Sequence, residues 1–129
     1  MCSKMDPMNR FLRYMPQFFF IGVALVSVFS LIPAASVPQA FHFWDKAQHA
    51  LAYVALAVTG CLAFPRRVMP VFVGLLGHGA VIEILQGSLT TTRFGEVSDW
   101  LADAIGVLVG VAFYRRGLAK PEAMPRHRG

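Results

Sequence analysis

Charge is scarce in this chain: 15% of its 129 residues are charged against 56% hydrophobic, and the mean hydropathy is +0.54. Ordinary soluble domains carry about a quarter charged residues, so the deficit excludes a soluble domain of this size. Cysteine is nearly missing as well. Cys2 and Cys61 share no CxxC or metal-type spacing, which excludes a disulfide framework and reads them as reduced bystanders. HExxH and similar zinc signatures are lacking, and neither a metal nor a cofactor is assigned. Internal repeats and low-complexity tracts are also missing, and no length is left over for a separate soluble domain.

What is present is apolar sequence in membrane-length pieces. Between Arg13 and Asp45 lie 31 residues without a formal charge, where about 20 apolar residues suffice to cross the hydrocarbon core as a helix. The pattern predicts spans near 17–36, 47–64, 69–86 and 98–114, making an all-α, four-helix transmembrane bundle over residues 17–115. Residues 1–16 read as a cytoplasmic N-terminal segment and 116–129 as a disordered basic cytoplasmic tail. Lys4, Arg10 and Arg13 ahead of the apolar run, with Ala34-Ala35-Ser36 behind it, also fit a cleavable secretory signal.

Four crossings place ten basic residues on one side and only Lys46 and Arg93 on the other, where five of the seven acids fall. The faces then carry +8 and −3. Because Lys and Arg collect in cytoplasmic loops, both termini are expected inside, with Trp44 and Trp100 in the outer aromatic belt and Tyr14 and Tyr114 in the inner one. This yields a multi-pass protein of the cell membrane. The sequence pI of about 9.8 then reflects orientation and attraction to anionic lipid, not nucleic-acid binding.

Ionisable groups in apolar spans are costly, and three constellations of them mark the outer end: Asp45-Lys46-x-x-His49, Glu83-x-x-Gln86 and Asp99-x-x-x-Asp103, with Arg93 between the last two. Asp45, His49 and Tyr53 recur at i, i+4 and i+8 on one helical face. Asp45 suits the positive end of the helix dipole, worth about 0.3 to 1 kcal/mol, whereas Lys46 opposes it and calls for a carboxylate partner. Glu83 lies at the opposite, negative end of its helix and needs a cation, a metal or a proton. Gln86 shares its face and can bind a ligand or tie down a neighbouring helix. His78 points about 140° away from Glu83, at 100° per residue, and reads as structural.

In the fourth span Asp99, Asp103, Gly106 and Gly110 follow one stripe. Asp99 is a first-turn acid after a Ser98 cap; Asp103 lies a full turn deeper, where the dipole no longer excuses it. Gly106-x-x-x-Gly110 permits close helix approach, within the bundle or between copies of an oligomer. Asp103, Glu83 and His49 are expected at similar depth, forming an outward-opening pocket where their faces converge. The Gly87 to Glu96 connection would partly cap it, with Arg93 folding back onto Glu83 or Asp99.

The order Asp45-Lys46-x-x-His49-x-x-x-Tyr53, Glu83-x-x-Gln86, Arg93 and Asp99-x-Leu101-Ala102-Asp103-x-x-Gly106 resembles the VanZ-like family of small membrane proteins over roughly residues 20 to 115. One departure is Asp103, where members of that family more often carry Asn. The resemblance implies a helical membrane domain in a family whose founding member is linked to lowered susceptibility to teicoplanin.

Three functions are compatible with these residues. The first is an envelope protein whose outer pocket binds a headgroup, a lipid-linked precursor or a membrane-protein partner through Asp45, Lys46, His49, Tyr53, Glu83, Gln86, Arg93, Asp99 and Asp103. The second is an enzyme on a lipid-linked substrate, with Glu83, Asp103 and His49 as candidate catalytic groups in acid–base or cation-assisted chemistry. The third, an ion transporter, is disfavoured because a relay needs polar groups at every depth, and only His78 lies near the midplane.

Overall fold

The structure is a computed structural model of the chain that describes residues 6–32, 42–89 and 97–119, the side chains of 42–45 excepted. A short helix, α1 (Pro7–Leu12), leads into α2 (Met15–Leu31), followed by α3 (His42–Ala63), α4 (Val68–Leu89) and α5 (Val97–Phe113); α5 runs on into a π-helical turn, Tyr114–Leu118. The break between α1 and α2 falls where Pro16 has no N–H to donate and its ring would meet the carbonyl of Leu12. Ile32 is already extended (φ −68°, ψ 124°), as expected ahead of Pro33.

These bounds correct the expected spans in several places. Part of the N-terminal segment is helical, and the first helix begins at Met15 and ends by Leu31. α3 begins five residues before the expected Ala47, so Asp45 and Lys46 belong to it, while α4 continues three residues past Gln86. The tail read as starting at 116 is helical through Leu118; beyond 119 it lies outside the described residues. Among the described residues, three helical stretches are long and apolar enough to cross a membrane: Pro7–Leu31, Val68–Leu89 and Val97–Leu118. α3 has the length of α4 but spends its first two turns on Asp45, Lys46, Gln48 and His49.

Successive helices alternate in direction. Lys46 near the start of α3 meets Ser98 near the start of α5, and Gln86 near the end of α4 meets Ser30 near the end of α2. Those four helix ends make one polar end of the bundle. The connection Phe64–Arg67, closed by Arg67 N–H donating to the Phe64 carbonyl at 2.8 Å, lies at the other end. α3 and α5 are the most closely packed pair, and α2 and α4 complete the ring.

Small residues explain that closeness. A Cβ on Gly106 would collide with the Ala50 carbonyl oxygen, and one on Gly110 would lie 2.6 Å from Ala57 Cβ and 2.7 Å from the Val54 carbonyl oxygen. The glycine pair is thus taken up by α3 within the chain. Below it the core closes around Leu56, Ala57, Cys61, Val107, Val111 and Tyr114. Tyr114 is therefore a core residue instead of a belt residue, and Cys61 is a buried free thiol.

The outside is apolar on every helix. Phe18, Ile21, Phe29, Leu51, Val73, Ile84, Ile105 and Leu108 are among the large hydrophobics more than half exposed. Water does not tolerate such continuous apolar surface, and lipid does. Ser30, Glu83, Gln86 and Asp103 are buried beside the apolar core instead.

Candidate functional site

The glycine stripe that draws α5 onto α3 also sets the site's geometry. Asp103 lies one turn before Gly106, and His49 immediately precedes the Ala50 carbonyl against which Gly106 rests. Close backbone approach therefore brings His49 Nδ1 to 3.4 Å from Asp103 Oδ1. Asp103 is 1% exposed, and neither of its carboxylate oxygens has a conventional hydrogen bond among the described residues. Its Oδ2 rests over Gly79 of α4, where a Cβ would come within 3.1 Å. A buried carboxylate so weakly compensated is an energetic cost that packing alone does not require.

A hydrogen-bonded chain enters the same region from the bundle's middle. Ser27 of α2 contacts His78 Nε2 at 2.9 Å, and His78 Nδ1 contacts the Tyr53 hydroxyl at 2.8 Å. Proton positions follow from the partners. Ser27 gives its single proton to the Val23 carbonyl at 2.8 Å, so it accepts from His78 Nε2–H. A neutral imidazole then keeps Nδ1 as an acceptor, and Tyr53 donates to it. The phenolic oxygen is left with its lone pairs.

Other donors at this end are committed to helix carbonyls or to the mouth. Gln86 Nε2 donates to the Ser30 carbonyl at 2.7 Å, satisfying one of the last carbonyls of α2, which lack partners in their own helix. Trp100 Nε1 donates to the Leu76 carbonyl at 3.1 Å, so this indole is turned onto α4 and does not stand in an outer belt. Lys46 Nζ hydrogen-bonds Ser98 Oγ and lies 3.4 Å from Asp99 Oδ1, with both side chains partly exposed. Asp99 is thus a carboxylate that Lys46 reaches, and the pair offsets a cation at the positive end of α3.

Glu83 (9% exposed) and Gln86 (2%) are buried on α4 together with Tyr53 (1%) on α3. Of the predicted residues, the structure thus gathers Lys46, His49, Tyr53, Glu83, Gln86, Asp99 and Asp103 at the polar end. The Asp45 side chain and Arg93, with the expected clamp onto Glu83 or Asp99, lie outside the described residues. No three His, Cys, Asp or Glu side chains among the described residues come together as a metal-ligand group.

Two separate grooves lie at this polar end. One of about 250 Å³ lies between α2 and α3, with Leu25, Val26, Phe29 and Ala52 as apolar walls and Ser30 and His49 as polar ones. The other, about 440 Å³ between α4 and α5, reaches Glu83 and Trp100. Sequence reasoning missed Ser27 and Ser30 and set His78 apart. A signal existed for the serines, which lie three residues apart on one face of an apolar helix. No protein-family model, curated protein or solved structure matches the chain.

Proposed function

We propose that this chain is a VanZ-like protein of the cell envelope whose polar end faces outward and binds the headgroup of an envelope component in a pocket there, altering glycopeptide susceptibility. One observation carries the reading: Asp103, buried to 1% exposure without a conventional hydrogen bond among the described residues, lies 3.4 Å from His49, a lining residue of a groove that opens to the bundle's exterior. A carboxylate held so is better matched by a ligand than by the fold. The outward orientation is supported by Arg10, Arg13, Arg66, Arg67, Arg115 and Arg116, which all fall at the opposite end.

The test is deletion of the gene, teicoplanin susceptibility testing and profiling of lipid-linked precursors. Altered susceptibility with normal lipids, restored by the wild type but not by Asp103→Asn, is the expected result. Unchanged susceptibility and full complementation by Asp103→Asn would remove the proposal.

A second reading, an enzyme on a lipid-linked substrate, is favoured by the His49–Asp103 contact of 3.4 Å. A carboxylate beside an imidazole orients it as a general base. Under this reading one lipid accumulates on deletion, and Glu83→Gln or His49→Gln fails to clear it. Full complementation by both variants eliminates acid–base chemistry at these positions.

A further inference from the structure

The end opposite the polar constellations has a groove of its own, of about 320 Å³, between α2 and α4. Phe19, Phe20 and Val23 of α2 line one side of it, and Val71, Gly74 and Leu75 of α4 the other. Its aromatic wall is held in place. Phe64, in the connection between α3 and α4, meets Phe19 and Phe20 edge-on, with ring centroids 6.0 and 6.2 Å away. Phe19 also packs so closely on Gly60 that a Cβ there would come within 2.8 Å of its ring. These rings are therefore not free to swing in and fill the space. On the α4 side the groove is open, because a Cβ on Gly74 would meet nothing within 4 Å.

Polarity is confined to one end of the groove. His78 lines the inner end, but both of its ring nitrogens are already bonded, Nε2 to Ser27 and Nδ1 to Tyr53, so it adds no spare donor or acceptor. Arg67 lines the other end, exposed, immediately ahead of α4. From Arg67 to His78 is about 16 Å along the helix at roughly 1.5 Å per residue, close to half of the roughly 30 Å hydrocarbon core. The groove thus runs the depth of one leaflet, apolar along its length and cationic at the rim. Phe20 and Gly74 are exposed on the apolar outside of the bundle, so hydrocarbon reaches it directly.

Charge decides which occupant fits. The chain's own ends do not, since residues 1–5 hold Lys4 and no acid, and residues 120–129 hold Lys120, Arg126 and Arg128 against Glu122. A second copy in the same orientation would bring its own Arg66, Arg67, Arg115 and Arg116 to the same level, setting like charge against like. A hydrocarbon chain with an anionic head satisfies both parts. We infer that the α2–α4 groove holds one acyl chain of an anionic phospholipid from the leaflet at the basic end, with the lipid phosphate on the Arg67 guanidinium. The planar guanidinium suits phosphate through two parallel N–H bonds. This site lies at the other end of the bundle from the headgroup pocket proposed above and does not rest on it.

The experiment uses the full chain in detergent micelles with equimolar phosphatidylglycerol and phosphatidylcholine of identical acyl chains, and retained lipid is read by native mass spectrometry. Phosphatidylglycerol is expected about five-fold above phosphatidylcholine, the ratio to which roughly 1 kcal/mol from one interfacial basic residue corresponds. Arg67→Gln should bring the ratio to about one, while Arg66→Gln, beside it but outside the groove, should leave most of the preference. Gly74→Leu fills the groove and should reduce retention of both lipids with helix content unchanged. Gly77→Leu is its control, because Gly77 is equally exposed and open but does not line the groove, and retention should stay at the wild-type level.

Equal retention of the two lipids by the wild type overturns the inference. Equal effects of Arg66→Gln and Arg67→Gln would reduce the preference to general attraction by the basic end and overturn the site. Equal effects of the two leucine substitutions would remove the groove's part. A dimer that Gly74→Leu dissociates would assign the groove to a second copy instead, and a fatty acid that displaces phosphatidylglycerol at equal concentration would assign it to a free carboxylate; either result ends the phospholipid assignment.

Discussion

Tyr53 belongs to a chain of hydrogen bonds that crosses the bundle, because its hydroxyl meets His78, which in turn meets Ser27. Replacing it by Phe leaves His78 Nδ1 without its donor in a dry interior. Tyr53→Phe should therefore destabilise the bundle by about 0.5 to 2 kcal/mol, and Ser27→Ala by a similar or smaller amount. The Tyr53→Phe/His78→Leu double variant should lose less than the sum of its parts, since the orphaned acceptor is removed with its partner. Unfolding in mild detergent followed by circular dichroism reads these three and the His78→Leu single variant; strict additivity would show that the chain of bonds does not act as a unit. Lys46 and Asp99 are different. They sit 3.4 Å apart with partly exposed side chains, so Asp99→Asn should cost less than about 1 kcal/mol and lose even that at high salt.

At the scale of elements, the α3–α5 contact decides whether a site exists at all. Gly106→Ala drives a methyl into the Ala50 carbonyl, which backbone cannot yield, so α5 must move away. A loss of about 1 to 3 kcal/mol is expected, together with separation of His49 from Asp103. Gly74 and Gly77 on α4 have open space where a Cβ would go. Gly74→Ala and Gly77→Ala should be neutral or stabilising by up to about 1 kcal/mol through helix propensity. Thermal melts of the three variants in one detergent check the contrast, and equal losses would show that close approach is not what the stripe provides. The glycine spacing was readable in the sequence; its partner was not, because only the rotation of α3 about its axis turns Ala50, Val54 and Ala57 toward it. His78 teaches the same point. Its angle of about 140° from Glu83 put it on another face, yet α4 touches both α2 and α5 in the ring, so two of its faces point inward.

Across the whole molecule the outside differs from that of a soluble bundle, with aromatic and branched side chains exposed while Ser30, Glu83, Gln86 and Asp103 are buried beside an apolar core. Its two ends are unlike: one gathers Lys46, Gln86, Ser98 and Asp99, the other Arg66, Arg67, Arg115 and Arg116. In a Cys61→Ala, Cys2→Ser background, a cysteine at Ser98 should react with a membrane-impermeant maleimide added to intact cells, while one at Gly117 should react only after lysis. The reverse pattern would turn the polar end toward the cytoplasm and remove its access to envelope components.

The sequence by itself determined the helical membrane class, the positions of the apolar stretches to within a few residues, and which end is polar and which basic. Those properties are local, since hydropathy and charge are summed along the chain regardless of what each helix meets. Tertiary structure alone decided that His49 meets Asp103, that Lys46 reaches Asp99, and that Ser27, His78 and Tyr53 form one chain across three helices. Such pairings depend on how far each helix is rotated and slid against its neighbours. That is fixed by where Gly106, Gly110 and Gly79 let backbones and side chains come close, a matter of shape that no reading along one strand of residues contains.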